Sequence, residues 1–139
     1  MSARAGRLYA AVMLGSALGA VARYGCSLAM LHLLGTGFPW GTLTVNTVGS
    51  FLIGLFAAVT GPGGRVVVTP AQRQFLLAGV CGGFTTFSVF SLETLYLVEA
   101  GAPRLAGLNL GVSILAWLLA VWAGHTAGMR IGARAPVAR

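Results

Sequence analysis

Residues 24–64 read YGCSLAMLHLLGTGFPWGTLTVNTVGSFLIGLFAAVTGPGG, 41 residues without one Asp, Glu, Lys or Arg. About 20 apolar residues cross the hydrocarbon core of a bilayer, so this stretch is too long for one crossing and holds parts of two. The divider is Gly35-Thr36-Gly37-Phe38-Pro39-Trp40-Gly41. Its Gly and Pro break a helix, and Trp40 is suited to the membrane–water boundary. On this reading one helix ends near residue 34 and the next runs over about 41–60.

The composition of the whole chain agrees. Charged residues make up 8% and apolar residues 57% of its 139 residues, against roughly 25% and 45–50% in a soluble domain. That is one domain's length, with too few charges to keep a surface in water. A soluble globular enzyme and a disordered chain are both excluded. Toward the N-terminus, Arg4 and Arg7 precede the apolar run Leu8–Ala22 in the manner of a signal peptide. The apolar character continues past Arg23, so a retained first span, about 8–34, is expected. Toward the C-terminus, Gly61-Pro62-Gly63-Gly64-Arg65 leads to Pro70, a third span covers about 71–98, and a loop with Pro103 precedes a fourth over about 105–128. The expected fold class is an all-α integral membrane protein, 1–139, of four transmembrane helices with both termini on one side.

Charge sets the expected orientation. The side carrying the termini and the second loop holds Arg4, Arg7, Arg65, Arg73, Arg130, Arg134 and Arg139, and the other side holds only Arg104. The positive-inside rule then places the termini in the cytoplasm. The net +7 charge is scattered between uncharged stretches with no basic aromatic stripe, which argues against nucleic-acid binding. Cys26 and Cys81 lie apart inside apolar runs and read as buried thiols. The 21 glycines include the spacings Gly15/Gly19, Ser50/Gly54, Gly79/Gly83, Gly107/Gly111 and Gly124/Gly128, a pattern that lets helices approach closely in lipid.

No catalytic constellation is present: His32 and His125 have no Cys, Asp or Glu at ligand spacing, and no phosphate loop or dinucleotide fingerprint occurs. The chemistry concentrates in the third span, Gly79-Val80-Cys81-Gly82-Gly83-Phe84-Thr85-Thr86-Phe87-Ser88-Val89-Phe90-Ser91-Leu92-Glu93. Gly82-Gly83 and the β-branched Thr85-Thr86 are poor helix formers. Two readings stand side by side. The helix breaks and frees carbonyls that suit a hard cation such as sodium, or it continues, softened by Gly, with Thr hydroxyls bonded to the preceding turn. Phe87 and Phe90, three apart, share a face. Their positive ring edges can favour a small anion, with Thr86, Ser88 or Ser91 as donors, although ordinary core or lipid-facing Phe is the commoner use. Asn46 in the second span either lines a polar path or makes an interhelical hydrogen bond. Arg23 either snorkels to the interface or draws anions to a pore mouth, and Glu93 pairs with it or caps a polar track.

These motifs resemble the CrcB/Fluc family of fluoride channels along nearly the whole chain. Gly15 through Arg23-Tyr24, Gly41-Thr42-Leu43 through Val45-Asn46 to Gly49-Ser50-Phe51, and Cys81-Gly82-Gly83-Phe84-Thr85-Thr86-Phe87-Ser88 are similar to the family's three motifs, in order. The resemblance implies a break in the third span and an antiparallel, dual-topology dimer in the cell (inner) membrane that exports fluoride passively. It further implies a structural sodium ion, not transported, held at the dimer centre by the backbone carbonyls of Gly82 and Thr85. Phe87 and Phe90 would face the anion, with Asn46, Ser88 and Ser113 along its path and Arg23, Glu93 and Thr86 in support. Three positions depart from the family pattern: Val89 stands where Thr is usual, Asn109 where part of the family has Tyr, and Trp117 where a small residue is common.

The partner is expected to be a second copy, since the motifs for the shared sodium site are all present. The seven-to-one Arg count also fits a fixed orientation paired with an oppositely oriented paralogue. The alternative function is a small multidrug-resistance-type transporter, also a four-helix antiparallel dimer. That chemistry needs a carboxylate in the first span, where this chain has only Arg23. A non-conducting assembly subunit would leave Asn46 and the Thr/Ser cluster without a role.

Overall fold

The computed structural model describes residues 2–62 and 64–133, with the backbone alone for 132 and 133. Arg134 and Arg139, counted above for orientation, lie outside the described residues. All regular structure among these residues is helical, and four stretches are long and apolar enough to cross a membrane.

Helix α1, Ala3–Leu34, opens on Ser2, whose side chain accepts from the Ala5 N–H, and closes on Gly35 at φ 73°. An L side chain is strained in that left-handed conformation, so the glycine ends the helix cleanly. The sequence places the start of α1 near residue 8, whereas the helix begins at Ala3. Apolarity marks where the bilayer starts, but Ala and Arg are good helix formers that carry the helix on into water. At about 1.5 Å per residue, its 32 residues are longer than a bilayer core is thick. Helix α2 spans Trp40–Val59.

The third crossing is the irregular one. A helical stretch, α3, covers residues 70–84 and is built from Pro70–Gln74, a π-helical segment Phe75–Cys81 and one α turn, Gly82–Phe84. Its entry is fixed by a capping box between Thr69 and Gln72, with Pro70 at the first helical position. The chain then leaves helical geometry and resumes as α4, Ser88–Glu99. Gly101, at φ 74°, turns it into α5, Pro103–Ala133.

Packing follows the glycines, as expected where lipid is as apolar as the helices themselves. α1 lies on α3 where two glycines meet: a Cβ on Gly79 would sit 2.9 Å from the Gly15 Cα. α2 pairs with α5 most extensively, and there a Cβ on Gly54 would approach His125 N to 3.0 Å and one on Gly124 would approach Leu55 N to 3.1 Å. Gly107 and Gly111 differ: a Cβ on either would meet nothing within 4 Å, so this pair takes no part in packing within the chain. Leu14, Leu18, Val21, Leu115, Leu118 and Leu119 are exposed, as side chains facing lipid would be.

Candidate functional site: a broken helix held by Asn46

The break falls at Thr85. This residue is extended, φ −86°, ψ 161°, and α4 does not begin until Ser88. The glycines at 82 and 83, the weakest helix formers in the segment, remain helical. The interruption comes two residues after Gly83 because a side chain from α2 competes for the backbone there.

That side chain is Asn46, 5% exposed. Its Nδ2 donates to the Thr86 carbonyl at 2.7 Å, and the Thr86 N–H donates to its Oδ1 at 2.7 Å. The amide thus mimics a strand partner and holds both backbone groups of Thr86. In a continuous helix the Thr86 N–H would donate to the Gly82 carbonyl. Likewise the Val89 N–H, which would serve the Thr85 carbonyl, donates instead to Thr86 Oγ1 at 3.2 Å. Among the described residues no backbone N–H donates to the Gly82 or Thr85 carbonyl. Thr85 also bonds back to the preceding turn, since its N–H and Oγ1 both donate to the Cys81 carbonyl at 3.0 Å. The helix therefore breaks, as the first reading of the sequence expects, and does not continue, although Thr85 makes the backward bond that the second reading expects.

Gly49 permits this approach of α2 to the break, since a Cβ there would collide with the Thr85 methyl. The result is a cavity of about 290 Å³, open on one side, whose wall includes Asn46, Gly82, Thr85, Thr86, Phe87 and Trp117. Carbonyl oxygens released in this way are hard ligands of the kind that hold alkali and alkaline-earth cations. Gly82 and Thr85 therefore fit a structural cation by the chemistry of their donors. Among the described residues no group of three His, Cys, Asp or Glu side chains could hold a metal, so a cation here depends on backbone oxygen.

The two phenylalanines diverge. Phe87 is 71% exposed on the single chain, whereas Phe90 is 3% exposed. Their ring centroids are 5.7 Å apart, and Phe90 meets Trp117 edge to face at 4.8 Å. Ser88 is exposed, with its hydroxyl 3.3 Å from Thr86 Oγ1. Ser113 is fully buried away from the cavity and donates to Asn109 Oδ1 at 3.3 Å. Asn109 Nδ2 in turn donates to Thr94 Oγ1 at 2.9 Å, and Thr94 Oγ1 to the Phe90 carbonyl at 2.7 Å. This Ser113–Asn109–Thr94 chain ties α5 to α4 and holds Phe90 in place. Sequence reasoning omitted Thr94 and treated Asn109 only as a departure, because nothing local shows that residues 15 apart will meet.

Arg23, half-buried on α1, is not in the wall of the cavity. Glu93 belongs to a separate cavity of about 550 Å³ shared with Ser27, Trp40, Thr42 and Tyr96. Its Oε2 is buried with no hydrogen-bond partner among the described residues, so that oxygen makes no pair with Arg23.

Comparison with known proteins agrees with the motif resemblance. The family model described as CrcB-like protein, Camphor Resistance (CrcB), matches residues 10–125. A protein of Rhodopseudomonas palustris (strain BisB18) named fluoride-specific ion channel FluC 1 is 53% identical over 124 residues, 89% of this chain and 88% of its own. Proteins named fluoride-specific ion channel FluC in Methylocella silvestris and Opitutus terrae are 48% and 50% identical, each over 88% of this chain and over 94% and 92% of their own lengths. With four membrane-spanning helices and these matches, the chain is a multi-pass membrane protein that belongs to the CrcB family.

Proposed function

We propose that this protein is a fluoride-selective channel that lets the ion leave the cytoplasm passively through the cell (inner) membrane. One observation carries the reading: the third crossing is opened at mid-span, and Asn46 holds it open through the Thr86 backbone. Non-helical backbone at this depth is tolerated only where it is buried in protein or lines a water-filled cavity. The names of the relatives supply the ion.

The chain acts as one half of an antiparallel dimer, because four helices enclose too little volume for a path and the cavity at the break is open on one side. Two copies are the simplest composition, and an oppositely oriented paralogue is the other. Gly82 and Thr85 hold a structural sodium ion through their carbonyls, and the ion supplies fixed positive charge that ties the halves together. Phe87 offers ring edges to the anion, with Ser88 and Thr86 hydroxyls as donors. Asn46, Arg23 and Glu93 position or flank the path, and Ser113 supports it through Asn109. Selection rests on partial dehydration, in which a narrow route replaces water around the small halide yet releases it. No covalent step is involved, so the protein is a conduit and not an enzyme. Fluoride efflux from liposomes, read by electrode beside a chloride control, tests the reading. Rapid fluoride release with little chloride supports it, and a folded dimer that releases neither ion overturns it.

A further inference from the structure

Helix α5 presents Asn109, Ser113 and Trp117 at i, i+4 and i+8, along one face. The first two are engaged with each other, and Asn109 also reaches Thr94. The third is not. Trp117 Nε1 is buried and has no hydrogen-bond partner among the described residues, although buried indole N–H groups usually find one. The same side chain forms part of the wall of the cavity at the break and stacks edge to face on Phe90 at 4.8 Å.

Several acceptors of the residues that line the cavity bond elsewhere, and none takes the indole N–H. Asn46 Oδ1 takes the Thr86 N–H, the Thr86 carbonyl takes Asn46 Nδ2, and the Cys81 carbonyl takes two donors from Thr85. Gly82 and Thr85 also line the cavity, and neither accepts a hydrogen bond from the indole. The next aromatic pair in sequence, Phe87 and Phe90, is separated by Ser88 and by Val89, which has no hydroxyl to offer.

We infer that the Trp117 indole N–H is a direct hydrogen-bond donor to the conducted anion and a determinant of halide selectivity at the level of Phe90. The inference rests on the channel reading above. A neutral N–H suits this task, because a hydrogen bond to an anion is stronger than one to a neutral acceptor, while the absence of full charge lets the ion leave. A bare donor at this depth is costly until an acceptor arrives, and the anion is the acceptor that passes.

The test is ¹⁵N–¹H spectroscopy of the three indole groups in the intact protein in nanodiscs, with sodium fluoride exchanged for sodium chloride. The Trp117 resonance is assigned by its loss in Trp117→Phe. It is expected to move downfield in fluoride but not in chloride, while Trp40 and Trp122 stay put. Trp117→Phe keeps a ring against Phe90 and is expected to lower fluoride efflux about tenfold, the size of losing one hydrogen bond to a charged group. A Trp117 resonance that ignores fluoride overturns the inference, whether it lies downfield on a fixed carbonyl or upfield over the Phe90 ring. So does wild-type efflux from Trp117→Phe. If the wild-type protein passes no fluoride the channel reading fails separately, and the resonance still reports whether the indole binds the ion.

Discussion

Removing the Asn46 amide should heal the helix it interrupts. In Asn46→Ala the Thr86 N–H loses its 2.7 Å acceptor and the Thr86 carbonyl its 2.7 Å donor. The N–H can swing back to the Gly82 carbonyl and the Thr86 carbonyl can accept the Phe90 N–H, which restores helical bonds in place of the two lost to α2. Interhelical hydrogen bonds in membranes average about 0.6 and reach about 1.7 kcal/mol, and a stranded buried group costs about 1–3 kcal/mol. With two interhelical bonds lost and the backbone groups re-paired within the helix, so that neither is stranded, a destabilisation of about 1–3 kcal/mol is expected. Unfolding in mixed SDS micelles, followed by tryptophan fluorescence, measures it. Backbone ¹³C shifts at Thr85 and Thr86 report whether the segment has turned helical. Fluoride efflux should fall as well, because closing the break withdraws the Gly82 carbonyl. Unchanged unfolding together with unchanged shifts at Thr85 would refute the claim that Asn46 holds the break open.

Phe87→Ile should leave folding and assembly intact, given the 71% exposure of Phe87 on the single chain, while depressing fluoride efflux several-fold; liposome flux and size-exclusion chromatography check both halves. Replacing sodium by N-methylglucamine should lower the thermal stability of the dimer, and added sodium should restore it, as scanned by fluorescence in detergent. Gly79→Leu should cost about 1–3 kcal/mol or more by forcing α1 from α3, whereas Gly107→Ala, whose new methyl meets nothing within 4 Å, should stay within about 0.5 kcal/mol; parallel SDS titrations compare them.

The crossings were legible because bilayer thickness is written into run length: the uncharged residues 24–64 contain the turn between α1 and α2 in plain Gly-Pro-Trp spelling. Helix ends were less legible, since α1 continues to Ala3 and α5 runs to Ala133 beyond the apolar run. The weak point of the third crossing is legible as Gly82-Gly83 with Thr85-Thr86, but not that the glycines stay helical while Thr85 leaves the helix. Propensity is local, whereas the competitor for the Thr86 N–H stands 40 residues away. The same holds for Thr94 and Asn109, whose pairing depends on how α4 lies against α5. Small-residue spacing shows that a glycine can admit a neighbour but not which one, so Gly15 and Gly79 meet while Gly107 and Gly111 face open space.

The π-helical segment Phe75–Cys81 makes this crossing intolerant of a change in length. Gly79 must face Gly15 at one end while Thr86 meets Asn46 at the other. The wider turn that carries Gly79 helps set the angle that joins the two contacts. Each residue of an α-helix rotates its successor by about 100°, so deleting Val80 or Cys81 would turn Thr86 away from Asn46 while Gly79 still faced Gly15. Insertions and deletions there should be purged far more severely than substitutions. The stretch from Thr69 to Thr86 works as a ruler counted in residues, in which the number of letters sets the fit of both ends.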